Sequence, residues 1–261
     1  IASRVEGARQ SSLDAQLYGS SRPLLTIHDG VVMGSPEQPG AVTLVPVYWS
    51  PASSPLPSAY SAGITGFDDA VAAASGSASN VFSVQTQYTD AQQRKLAYAY
   101  SSGTAIVDNS PLPAGGCRRD SGAVYSDSTG YSRCLTDEEI ATELWRAVSA
   151  AGLPADSSHL YTMVVPKGVE VCFGTANSAA GGSCTVSFAT TSSGFCAYHS
   201  SGSGSGSPIS MVYAVLPFPA RNSPTGVSCN AGDEYPSGNP DLDVALSIYS
   251  HEISEAVTDP F

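Results

Sequence analysis

Near the carboxyl end of the sequence, His251, Glu252 and Glu255 stand in the order His-Glu-x-x-Glu. On a helix, residues four apart lie one above the other, so His251 and Glu255 share a face. An imidazole and a carboxylate paired in this way can hold a divalent metal, and the intervening Glu252 can then take a proton from water that the metal acidifies. Asp259, eight positions after His251, could complete the ligand set, and His199 could join it from outside the helix. A histidine with carboxylates suits zinc; hard oxygen ligands also suit calcium, the alternative ion, or manganese. Each candidate has a plainer reading. His-Glu-x-x-Glu arises by chance in helices with a few polar residues, Thr258-Asp259-Pro260 reads as a helix stop, and His199 reads as a partly exposed histidine.

The element that must position these residues runs from Asn239 to Pro260. Asn239 is a candidate N-cap, Pro240 suits the first helical position, and Asp241 and Asp243 lie near the positive end of the helix dipole. Leu242, Ala245, Leu246, Tyr249, Ile253 and Ala256 recur at spacings of three and four, a core-facing stripe, and Glu252 falls between the faces. Val244 and Ile248 make the first half apolar on its other side as well. A helix apolar nearly all round is buried, which predicts a charged cluster facing a cleft.

Composition narrows the partners. The 261 residues carry a net charge of −12 and lysine only at positions 95 and 167. A chain this poor in cations neutralises neither nucleic acid nor an anionic membrane, and no apolar run reaches the length of a membrane span or has the form of a leader peptide. A peptide or protein substrate and a monomeric state are expected instead. Cys117, Cys134, Cys172, Cys184, Cys196 and Cys229 include no Cys-x-x-Cys pair, so three disulfides in a secreted, extracellular protein fit better than a zinc ribbon. Sequence order favours Cys117–Cys134, Cys172–Cys184 and Cys196–Cys229 among fifteen possible pairings. No Gly-x-Ser-x-Gly elbow supports a serine hydrolase, and the paired carboxylates of a glycosidase would be matched only in space.

Along the chain, residues 1–23 read as an extended arm and 24–261 as a single domain. Leu24–Met33 is a short apolar stretch broken at Asp29-Gly30. Ala41–Trp49 is the best early strand, its continuous apolar run predicting burial on both faces, with Pro46 at a bulge or an unpaired position. Ser58–Ala74 has helical spacing despite Gly63 and Gly66, Asn80–Tyr88 alternates like a strand, and Lys95–Val107 reads as a strand or hairpin. Asn109–Arg133 is a long loop. Thr136 and Glu139 form a capping box before the stripe Ile140, Leu144 and Val148, and Gly152 and Pro154 end that helix. Leu160–Pro166, Val169–Phe173 and Ile209–Phe218 are strands, Thr175–Phe195 is a loop or hairpin, and Ser200–Ser207 is a connector. The alternation predicts an α/β or α+β fold, a mixed sheet packed by helices. A strand, a loop and a buried helix with a metal-type motif is also the order found in zincins, where the strand before the active helix lies at the cleft edge.

Three patches carry a family resemblance. Ile27-His28-Asp29-Gly30 with Leu44-Val45-Pro46-Val47-Tyr48-Trp49, Cys196-Ala197-Tyr198-His199, and Ser250 to Phe261 resemble the phosphate-induced, Exordium-like secreted proteins, the last patch especially their bacterial and fungal relatives. The resemblance implies a zincin-like, disulfide-bonded fold and a zinc metallopeptidase helix with Glu252 as base. It also implies a continuation beyond Asp259-Pro260, so the chain is expected to be processed at Phe261 or to be part of a longer protein that supplies a third ligand. The competing expectation is a non-catalytic extracellular protein that binds cell-wall material or carbohydrate, its helix purely structural.

Overall fold

The computed structural model describes residues 32–34, 40–90, 92, 94–113, 133–173, 183–185, 195–203, 210–219, 229 and 235–260. The expected arm at 1–23, most of the 24–33 stretch and most of the 109–133 loop lie outside these residues. Val31–Phe261 makes one compact unit. Among the described residues, a six-stranded mixed sheet has the order β2 (Tyr100–Ser102), β1 (Val42–Trp49), β5 (His159–Val164), β9 (Ser210–Leu216), β8 (Tyr198–Ser203), and β3 (Ile106–Asp108) also pairs with β1. Its pairings are parallel except for β8 against β9. A smaller sheet of β4 (Arg133–Thr136), β6 (Val169–Phe173) and β7 (Ser183–Cys184) stands apart from it.

The main sheet is buried on both faces, which is why its strands are continuously apolar. Leu44, Leu160, Val164, Val212 and Ala214 pack under helices α1 (Ser58–Ala73) and α3 (Pro240–Thr258). Val47, Met163, Tyr213 and Val215 on the other face meet helix α2 (Asp137–Ala150) and apolar residues of the small sheet. The fold is therefore α/β, a mixed sheet packed by helices. Strand β9 corrects one expectation: it lies between β5 and β8, so the cleft-edge position belongs to β8 and not to the strand preceding the metal-type helix.

Pro46 finds the gap it needs. Val42 donates its N–H to Ala99 on the side of β2, and alternation puts the Pro46 nitrogen on that same side. There β2 pairs with Val42 to Leu44 and β3 with Val47 to Trp49, leaving position 46 opposite the break. The 95–107 segment is thus one interrupted strand running parallel to β1, not a hairpin.

Two further expectations are overturned. Val81–Gln87 is a 3-10 helix, not a strand: Asn80 accepts a hydrogen bond from Phe82 N, and the buried residues, Phe82 and Gln85, are three apart. Of the side chains that looked like one strand face, Phe82 is buried whereas Val84 and Tyr88 are exposed. Ser200–Ser203, expected in a flexible connector, belongs to β8, because backbone pairing with β9 asks nothing apolar of an edge strand's side chains. Helix α2 follows expectation, with both capping-box hydrogen bonds formed and Gly152 beyond its end at φ 67°. The Asp137 carboxylate in its first turn accepts from the Tyr198 and Tyr213 hydroxyls at 2.7 and 3.0 Å, which ties α2 to β8 and β9.

Cys172–Cys184 and Cys196–Cys229 are bonded as sequence order favoured. Cys134 is also in a disulfide; its expected partner, Cys117, lies outside the described residues. The second of these bridges anchors the chain just before β8, two residues from Tyr198.

The two glycines of α1 have opposite meanings. A Cβ at Gly63 would meet Leu242 Cδ2 of α3 at 2.3 Å and Cγ at 3.0 Å, whereas at Gly66 it meets nothing within 4 Å. Gly63 thus permits the close approach of α1 to the helix that carries the candidate site. Gly66→Ala is expected to stabilise the fold by about 0.5–1 kcal/mol through helix propensity. Gly63→Ala should destabilise it by about 1–3 kcal/mol through overpacking, and Leu242→Ala in the same chain should relieve much of that loss. Urea denaturation of the three variants checks both signs; a stabilised Gly63→Ala would refute the close-packing account.

Candidate metal centre

Helix α3 begins and ends where its sequence directs. The Asn239 side chain accepts from Leu242 N at 3.3 Å, Pro240 takes the first turn, and Asp243 accepts from Ser237 Oγ at 2.9 Å. Leu242, Ala245, Tyr249, Ile253 and Ala256 are buried as expected, and so is Val244. The helix stops at Thr258, and Asp259 is its C-cap with φ −149° and ψ 71°. The Thr258-Asp259-Pro260 turn is therefore a helix stop.

Glu252 does not lie between the faces. It shares the buried column of Ala245, Tyr249 and Ala256, spaced at threes and fours, and its side chain is only 6% exposed. His251 and Glu255 are the outward pair, with side chains 65% and 49% exposed. Their expected cleft is replaced by an open helix face, because the positions opposite the core stripe turn away from both α1 and the sheet. His251 Nε2 and Glu255 Oε1 are 3.0 Å apart, an i, i+4 contact.

His199 comes from β8, where it pairs with Ala214 of β9, and its side chain is 21% exposed. Its Nδ1 lies 3.4 Å from Glu252 Oε2 and 3.6 Å from Glu255 Oε2. Its Nε2 lies 3.1 Å from the main-chain oxygen of Asp259. The Glu252 carboxylate raises the His199 pKa above the ordinary imidazole value; burial opposes this, and the Asp259 carbonyl and Glu255 add to the rise. Ligand-type atoms of His199, Glu252 and Glu255 all lie within 4.8 Å of one another. His251 is outside that group and adjoins it through Glu255. Asp259 presents its carbonyl to the group, and its carboxylate is not a member.

Among the described residues a second group of this kind holds Cys134, Glu170 and Cys172. Both cysteines are in disulfides, so they offer no thiolate to a metal. His28, beside the Asp29-Gly30 turn, and the acidic pair Asp233 and Glu234 before the helix lie outside the described residues. His159 is part-buried: its Nδ1 is 2.8 Å from Asp156 Oδ1 and its ring stacks on Tyr161. Sequence reasoning missed one group near the site helix altogether. Asp68 of α1 is fully buried, neither of its oxygens has a hydrogen-bond partner, and the Tyr249 hydroxyl of α3 interacts with it. The signal was present: Asp68 sits four after Ile64 and three before Val71, on the stripe itself.

Fold and site together define an α/β protein with a mixed sheet, two disulfides among the described residues and a cluster of one imidazole and two carboxylates beside its edge strand. No family model, curated protein or solved structure matches the chain. No helix among the described residues is long and apolar enough to cross a membrane, and the disulfides are compatible with an extracellular location.

Proposed function

We propose that the chain is a secreted, zincin-like metal-dependent hydrolase of the Exordium-like kind, acting on a peptide or protein. The observation that carries the proposal is the convergence of His199, from a different element, on the two carboxylates of α3. The donor set fits zinc. Tetrahedral zinc with ligand bonds near 2.0 Å sets its ligand atoms roughly 3.3 Å apart. His199 Nδ1 to Glu255 Oε2, at 3.6 Å, lies close to that spacing, and His251 Nε2 meets the other Glu255 oxygen, at 3.0 Å. His199, Glu255 and His251 are the residues that would hold the ion, the exposed His251 turning on its side-chain torsions to do so. Bound there, zinc would supply Lewis acidity toward a substrate carbonyl and toward water.

The chain's own residues do the rest. Glu252, buried and 3.4 Å from the same His199 nitrogen, is the group that would accept a proton from the attacking water and return it to the leaving amine. Its burial on the core column holds that carboxylate in one orientation. The exposed side of α3 leaves room for a substrate over His251 and Glu255. Secretion is supported by the disulfides and the acidic, lysine-poor composition.

Elemental analysis of the purified protein is expected to find about one zinc per chain, and removal of that zinc by a chelator to abolish peptide cleavage. Calcium in its place would favour a structural site. Absence of any metal, with fold and properties unchanged by chelation, would sink the proposal and leave the non-catalytic extracellular binder. One observation favours that second reading: His251, Glu255, His199 and Glu252 already contact one another as a continuous chain of side chains.

A further inference from the structure

We infer that the main-chain carbonyl of Asp259, freed at the end of α3, orients the His199 ring so that Nδ1 and not Nε2 is the nitrogen offered to the metal. The inference rests on the metal-site proposal above and adds the atom and the device that selects it. A carbonyl oxygen only accepts hydrogen bonds, so Nε2, 3.1 Å from the Asp259 oxygen, carries its proton in any arrangement that keeps this contact. That leaves Nδ1 facing Glu252 and Glu255 at 3.4 and 3.6 Å, where a metal would exchange with its proton.

The local sequence explains why that carbonyl is available. The last carbonyls of a helix have no partner within it. Pro260 bars the residue before it from helical torsions and has no N–H of its own. Asp259 accordingly takes φ −149° and ψ 71° while its N–H still donates to Glu255 O at 2.8 Å. The turn that holds Glu255 in the helix thus also directs the next carbonyl toward β8. Pro260 is buried and the Asp259 residue exposed, so this geometry is set by packed backbone and not by the acidic side chain. Such outer partners fix the tautomer and the ring plane of metal-bound histidines in general. Asp259 is in this sense a positioning residue.

Long-range proton–nitrogen correlation spectra of histidine-labelled protein, recorded as zinc is added, distinguish the two ring nitrogens. The expected result is a shift of the His199 Nδ1 resonance on zinc binding while Nε2 remains protonated. A response at Nε2 with Nδ1 protonated would overturn the inference and leave the metal site standing, whereas bound zinc with neither His199 nitrogen affected would overturn the inference and the proposed ligand set together. A protein that binds no zinc overturns both, and elemental analysis identifies that case independently. In Pro260→Ala, residue 259 is no longer barred from the helix, and zinc affinity is expected to fall about tenfold to a hundredfold. An unaltered affinity would deny the carbonyl its positioning role.

Discussion

Replacing Glu252 by glutamine is expected to lower peptide hydrolysis by about a hundredfold to ten-thousandfold while zinc content stays at the wild-type level. Glutamine keeps the length and the acceptor oxygen of glutamate, so the contact with His199 Nδ1, 3.4 Å in the parent, can persist. What it lacks is a carboxylate able to accept a proton at neutral pH. The column of Ala245, Tyr249 and Ala256 that buries position 252 should hold the amide much as it holds the acid. Turnover of a peptide substrate and zinc stoichiometry on the same preparation make the comparison. If zinc is lost together with activity, Glu252 belongs to the ligand set with His199 and Glu255, and another group must act as base. If neither changes, α3 carries no chemistry and the binding-protein reading gains.

Replacing Asp68 by asparagine is expected to remove a pH dependence of stability worth on the order of 4 kcal/mol. The Asp68 carboxyl is pushed up from 3.8 to about 7 by burial first of all; the Tyr249 hydroxyl lowers it somewhat and the Asp69 carboxylate raises it. An acid whose pKa is raised on folding binds its proton more tightly in the native state. The wild-type protein therefore loses stability as pH climbs from about 4 to about 7 and levels off above. Asparagine cannot ionise, so the difference between variant and parent should grow by roughly 4 kcal/mol over that interval. Any constant cost of burying an unpaired amide cancels in that difference. Urea midpoints at pH 4.5, 6 and 8 measure it, and parallel profiles would show that Asp68 is hydrated or paired in solution. Burial pushes Asp108 and Asp156 up, but the hydrogen bonds they accept together outweigh it and hold both below the usual carboxylate range, so they act in the opposite direction below about pH 4. The stability maximum should accordingly lie in mildly acidic solution.

Much of the scaffold was legible residue by residue. Local signals suffice where the physics is local: the capping box at Thr136 and Glu139, the cap and proline that open α3, and the stop at Asp259-Pro260 were all readable because each is satisfied within one turn of backbone. The continuous apolar run of β1 announced two covered faces, and Pro46 announced an unpaired position. Signals that depend on a partner misled. Alternation at 80–88 looked like a strand because Phe82, Val84 and Tyr88 are apolar, yet only contact with Tyr100 and α3 decides which of them is buried. The serines of β8 carried no hydrophobic signal, since an edge strand is made by the backbone of its neighbour.

The site divides along the same line. Spacing alone determined that His251 and Glu255 are neighbours and that α3 is amphipathic, because helical geometry is a property of the chain. It did not determine which side of α3 would be wet. Burial of Glu252 and exposure of His251 follow from where α1 and the sheet press on the helix, an arrangement settled by packing as close as Gly63 against Leu242. His199 lies more than fifty residues from Glu252 in sequence, and nothing local distinguishes it from any other partly exposed histidine. Only the antiparallel pairing of β8 with β9 brings it to the carboxylates, and only the ended helix turns the Asp259 carbonyl toward its ring. The sequence by itself determined the candidate donor types and the helix that carries most of them. Tertiary structure decided which ones meet, because hydrogen bonds and ion pairs act over a few ångströms of space and are indifferent to distance along the chain.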